Sequence, residues 1–189
     1  MRRALASVGL AAALAASGCG DDESRAAEER SGTHRVEIVD ATFSERQRLA
    51  RPERLVISVR NAGPEALPNV AVSVDSFVRR SERRDLSDAR RPLWIVDSGP
   101  AGADTAYSGT WALGRLAPGQ TRRFVWRVTP IEPGTHRVRY RVAAGLTGRA
   151  KAVLEGNEAP AGEFMVDVSS RPAQARVDPE TGLAVRDGE

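Results

Sequence analysis

From residue 35 onward the chain is a succession of short runs in which apolar and polar positions alternate, separated by glycine and proline. Strict alternation is the pattern of a strand with one buried face and one wet face. The run 54–61 sends Leu55, Ile57 and Val59 to one side, and the run 69–77 does the same with Val70, Val72 and Val74. Further on, 121–129 points Phe124, Trp126 and Val128 inward and Arg123 and Arg127 outward. After Pro130-Ile131-Glu132-Pro133-Gly134, the series His136, Val138, Tyr140 and Val142 alternates with Arg137, Arg139 and Arg141, so the two runs read as a hairpin. Runs at 35–43, 92–98, 107–113, 146–154 and 164–168 complete the set, and none has helical periodicity. The pattern predicts an all-β, two-sheet sandwich.

The first residues follow a different plan. Met1-Arg2-Arg3 is charged, 4–16 is apolar and rich in alanine, and Ala16-Ser17-Gly18 are small residues directly before Cys19. A charged start, a short apolar core and small residues before a cut form the layout of a secretory signal. The apolar run is too short to cross a bilayer, which takes about 20 residues. Cys19 is the only cysteine in the chain, so no disulfide within the chain can form. Leu14-Ala15-Ala16-Ser17-Gly18-Cys19 resembles the lipobox of bacterial lipoproteins, with Ala16 where leucine is usual. The resemblance implies a diacylglycerol on the Cys19 sulfur and cleavage before it. Two acyl chains, at about 0.8 kcal/mol per buried methylene, give stable attachment without a spanning helix. The expected organisation is a signal at 1–18, a lipidated tether at 19–34, the sandwich at 35–170 and a partly ordered tail at 171–189. A flexible tether of that length holds the domain roughly 20 Å from the membrane.

Two passages bear a second resemblance. Leu55-Val56-Ile57-Ser58-Val59-Arg60-Asn61-Ala62-Gly63-Pro64, followed by Asn69-Val70-Ala71-Val72-Ser73-Val74, is similar to the bacterial cell-adhesion-related and conserved-repeat surface domains. Leu116-Ala117-Pro118-Gly119-Gln120, an aromatic strand and Pro133-Gly134-Thr135 repeat the second half of their pattern. The resemblance implies an immunoglobulin-like sandwich displayed outside the cytoplasm as a binding or spacer module. Its motifs encode turns rather than a reaction.

Charge adds less than the calculated pI of 9.7 suggests. Removing Arg2 and Arg3 with the signal leaves 26 basic against 25 acidic residues. All the basic residues except Lys151 are arginine. The most polar segment carries Arg79, Arg80, Arg83, Arg84, Arg90 and Arg91 against Glu82, Asp85 and Asp88. It reads either as a solvated connection or as a surface that docks on anionic headgroups or wall polymers. The outward stripe Arg123, Arg127, Arg137, Arg139 and Arg141 invites the same two readings, of which the wet sheet face is the plainer.

Candidate chemistry is sparse. His34 and His136 are the only histidines, and no zinc-type spacing joins them to further ligands. A blue-copper site needs a cysteine, and Cys19 is committed to lipid. Asp75, Asp97 and Asp104 fall near expected loops but form no calcium-loop motif. Ser81, Ser98 and Ser108 lack a nucleophile-elbow context. These absences point to no catalytic residues, no cofactor and no metal. Trp111, with Tyr107, is the candidate platform for a sugar. Export and the lack of aromatics among the arginines argue against nucleic acid. The expected function is a membrane-anchored, non-catalytic binding or scaffolding domain, with an extracytoplasmic protein or a cell-wall polymer as partner. The alternatives are a carbohydrate-binding module and a metal-dependent hydrolase on an all-β scaffold.

Overall fold

A computed structural model describes residues 29–78, 92–171, 175–177, 179 and 184–186. The strands are β1 (Gly32–Thr42), β2 (Arg46–Arg48), β3 (Glu53–Asn61), β4 (Ala71–Val74), β5 (Trp94–Ser98), β6 (Asp104–Tyr107) and β7 (Thr110–Ala112). They continue with β8 (Thr121–Pro130), β9 (Gly134–Ala143), β10 (Ala150–Val153), β11 (Ala161–Ser169), β12 (Ala175–Val177) and β13 (Ala184–Arg186). The one helical element among the described residues is a 3-10 turn, Asp75–Phe77.

One sheet has the order β10-β1-β3-β8-β5 and the other β2-β11-β9-β4-β7-β6. Without the short edge strands these are β1-β3-β8-β5 facing β11-β9-β4. In chain order they occupy positions A, B, E, D and G, F, C, which is the immunoglobulin-like arrangement. The alternation built this: Leu55, Ile57, Val59, Phe124, Trp126 and Val128 from one sheet meet Val70, Val72, Val74, Val138, Tyr140 and Val142 from the other. Trp126 sits at the centre, stacked on Phe124 at 5.9 Å and met edge-on by Trp111 at 5.4 Å. Such aromatic pairs add about 0.5–1.5 kcal/mol beyond the area they bury.

The hairpin expected between 121–129 and 136–142 does not form. β8 already pairs β3 on one edge and β5 on the other, while β9 pairs β11 and β4. With both edges of β8 taken, the chain must cross to the opposite sheet through 131–133. Alternation is identical for a hairpin and for such a crossing, because both strands bury one face in the same core. The expected single strand 107–113 is instead the hairpin of β6 and β7. Gly109 turns it at φ +72°, where a side chain would also crowd the Val74 carbonyl.

At the other boundary, the described residues before 35 already pair with the sandwich. β1 divides its pairing: Gly32–Arg35 runs parallel to β10, and from Val36 it runs antiparallel to β3. The tail contains a short antiparallel pair, β12 with β13. No helix among the described residues is long and apolar enough to cross a membrane.

Candidate functional site

The most elaborate polar site lies where the chain enters the sandwich. Glu29 is only 6% exposed. Its Oε2 accepts the backbone N–H groups of Leu146 at 2.8 Å and Thr147 at 2.9 Å, and its Oε1 accepts that of Ala150 at 3.0 Å. The 144–149 loop joins β9 to β10, and its successive amides form a concave anion receptor of the kind that favours a carboxylate. Gly145 makes the approach feasible, since a Cβ there would overlap the Glu29 carboxyl group. Burial works against ionisation, yet the hydrogen bonds from Ala150, Thr147 and Leu146 outweigh it and hold the carboxyl below its ordinary value. A following bond, Gly32 N–H to the Arg149 carbonyl at 3.2 Å, starts the β1–β10 ladder. The segment expected to be plain tether up to residue 34 is therefore clipped to the domain from Glu29.

Asn61 organises the neighbouring 62–69 loop. It is fully buried and donates from Nδ2 to the carbonyls of Glu65 at 2.7 Å and Leu116 at 2.9 Å. Its Oδ1 accepts the Gly63 N–H at 3.0 Å. This is the physical content of the Asn-x-Gly ending seen in the sequence.

The opposite end carries a buried polar cluster. Trp94 Nε1 donates to Gln47 Oε1 at 2.9 Å, and Gln47 donates in turn to the Ser44 carbonyl at 3.0 Å. His136 lies edge-on to Trp94 at 5.3 Å and its Nε2 is 3.1 Å from the Glu132 carbonyl. Glu132 is itself buried. These contacts tie β2, β5 and β9 to the loops at 43–45 and 131–133 and give His136 a structural setting.

The arginine stripe divides because β8 and β9 belong to different sheets. On β9, Arg137 and Arg139 share Glu163 at 3.7 and 3.6 Å, and Arg141 meets Asp75 at 3.4 Å. Exposed pairs of this kind contribute about 0–1 kcal/mol and leave the face close to neutral. The other outer face differs. Arg54 stands directly opposite Arg127, and Arg123 stands opposite Ser58. None of the three is ion-paired among the described residues, whereas Arg60 beside them holds Glu37 at 3.3 Å.

Of the residues singled out in the sequence, Trp111 requires correction. It is 8% exposed, wedged between Phe77 and Trp126, and its indole nitrogen lies against Gly99. A ring consumed by the core cannot offer a face to a sugar. Tyr107 is exposed. Asp75 and Asp97 are already engaged, the latter accepting the Thr129 hydroxyl at 2.7 Å. Among the described residues no group of three or more His, Cys, Asp or Glu is placed to hold a metal. Cys19, Arg79, Arg80, Arg83, Arg84, Arg90 and Arg91 lie outside the described residues. Sequence reasoning missed Glu29, whose only signal was an acid in a charged stretch.

No family model and no curated protein matches the chain. Among solved structures it is similar to the CARDB domain of a Pyrococcus furiosus protein, solved in complex with di-metal ions. That match has 15% identity over 72% of this chain and 86% of that one, with a TM-score of 0.41. It is also similar to Escherichia coli alpha-2-macroglobulin from domain MG7 to the C-terminus, at 15% identity over 80% of this chain but 21% of that one, TM-score 0.44. A β-glucosidase from Listeria innocua gives 12% identity over 72% and 16% of the two chains, TM-score 0.38. No shared chemistry follows from likeness at this level, and the immunoglobulin-like assignment rests on the strand order itself.

Proposed function

We propose that this chain is a lipid-anchored extracytoplasmic protein whose sandwich binds or positions another extracytoplasmic component without catalysing a reaction. The anchor rests on Leu14-Ala15-Ala16-Ser17-Gly18-Cys19. The binding role rests chiefly on Arg54 facing Arg127 across β3 and β8 with no acid paired to either among the described residues. Like charges directly opposite each other destabilise a sheet. A local rule broken with no compensating acid among the described residues marks a place where a ligand supplies what is missing. The matching partner is acidic, either a protein surface or an anionic wall polymer. This pair also lies at the end of the sandwich away from Glu29, since β3 reaches the level of Val36 only with Asn61.

Affinity capture of the intact lipoprotein from its own membranes tests the reading, with an Arg54→Glu/Arg127→Glu chain processed in parallel. Support is a partner recovered by the native chain and lost from the variant. Equal recovery by both chains, or nothing recovered by either, contradicts it.

A further inference from the structure

Residues 29–34 sit on the sandwich as a ligand sits in a site. Only Glu29 and His34 of the six are buried, and none belongs to the apolar core, whose first member is Val36. Glu29 takes the amides of Leu146, Thr147 and Ala150, Gly32 donates to the Arg149 carbonyl, and the strand then runs parallel to β10. Arg35 is the switch point. It still pairs Val153, but its carbonyl already accepts the Ala62 N–H at 3.0 Å, and from Val36 the strand belongs to β3. The arm and the rest of β1 thus have separate partners, and the arm can lift from β10 while the β1–β3 ladder stays closed.

Apart from Glu29 the seat is weak. Parallel pairing is the less stable kind, and β10 is four residues long. His34 is buried with no hydrogen-bond partner for its Nε2 among the described residues, which costs stability. β10 is also the last strand of its sheet. A departing arm therefore uncovers a sheet edge, whose free N–H and C=O groups are a template for another strand. Beside that edge it leaves the amides of Leu146, Thr147 and Ala150 aimed at one carboxylate. A segment that fits must carry an acid and, three residues on, the start of an extended strand, as Glu29 and Gly32 do. Every copy of this chain has one such segment and one such slot.

We propose that 29–34 is an exchangeable arm, which fills the slot of its own chain or that of a second copy. Reciprocal exchange gives a two-fold dimer in which each receptor at 146–150 holds the partner's Glu29. The occupant is a second copy because the segment already seated in the slot shows which sequence the slot accepts. Exchange remakes the same bonds between chains, so it needs no new surface, and swapping an identical element is a low-cost route to dimers. It does not depend on lipid at Cys19.

Thr33 and Lys151 stand opposite each other in the β1–β10 ladder, and both are exposed. Neighbouring strands lie about 4.8 Å apart, within the span of a disulfide. Cys19, the only thiol, is first removed by Cys19→Ser. On that background one chain carries Thr33→Cys, a second carries Lys151→Cys and a third carries both. The third chain should close an internal disulfide, which shows that the substituted arm still docks; failure to close overturns the proposal at its base. The two single variants are then mixed at about 1 mM, the effective concentration of a short tethered arm, and mildly oxidised. Exchange predicts the mixed disulfide in several-fold excess over its random proportion. Glu29→Gln on the Lys151→Cys chain loosens the arm competing for that slot and should raise the yield several-fold. Glu29→Gln on the Thr33→Cys chain weakens the donated arm and should lower it. A mixed disulfide at the random proportion, or one that responds alike to Glu29→Gln on either chain, overturns the exchange.

Discussion

The carboxyl group of Glu29 occupies the space that a side chain on Gly145 would need. Gly145 is not among the positive-φ glycines, so the requirement there is room rather than backbone freedom. Gly145→Ala and Glu29→Gln should therefore damage the same interaction. Each removes bonds to a charged acceptor and should cost about 1.5–3 kcal/mol. The double variant should lose clearly less than the sum, because the second change finds nothing left to break. Denaturant unfolding of the four chains measures this, and simple additivity would show that the two residues are independent.

Acid should undo the clip. The folded-state value of Glu29 lies below its unfolded one of about 4.5. Its contribution is thus complete above that value and is lost as pH falls through the lower folded-state value. At neutral pH the clip is shut. The stability gap between native and Glu29→Gln chains should be constant from pH 7 to about 5 and narrow below about 4.5. A gap that widens in acid would mean that the carboxyl is not held ionised.

Asn61→Ala should be among the more harmful single changes. It strips bonds from the carbonyls of Glu65 and Leu116 and from the Gly63 N–H. Buried groups left without partners cost about 1–3 kcal/mol each. Part of this will be recovered if water reaches the loop, so a loss of about 3 kcal/mol is expected in thermal unfolding. Faster amide exchange confined to 62–69 should accompany it.

The Arg54–Arg127 pair should separate stability from binding. Arg127→Glu places opposite charges across β3 and β8, and should raise stability by roughly 0.2–1 kcal/mol. The same change should abolish capture of an acidic partner. A variant that is both less stable and fully competent would remove the case for this face.

Alternation along the chain was enough to reveal the sandwich, because residues such as Phe124, Trp126 and Val128 have no other way to be buried together. It misplaced the partner of that strand. Whether β8 turns back beside itself or crosses the core depends on which edges are already occupied, and edges are a property of the assembled sheet. Trp111 was misjudged for a related reason: its run is short, and only the docking of β7 on β4 shows the ring facing Phe77 and Trp126. The clip was illegible from sequence. A glutamate in a polar stretch looks like solvent-facing tether until a loop more than a hundred residues away turns its amides toward it.

The proposed partner depends on where the chain is held, and the anchored reading assigns that to Cys19. Cells expressing the native chain and a Cys19→Ala chain should be fractionated and the size of each product determined. The native chain should appear at mature length in the membrane fraction, and Cys19→Ala should shift to the soluble fraction or accumulate unprocessed. Mature-length Cys19→Ala retained in the membrane fraction would contradict the account.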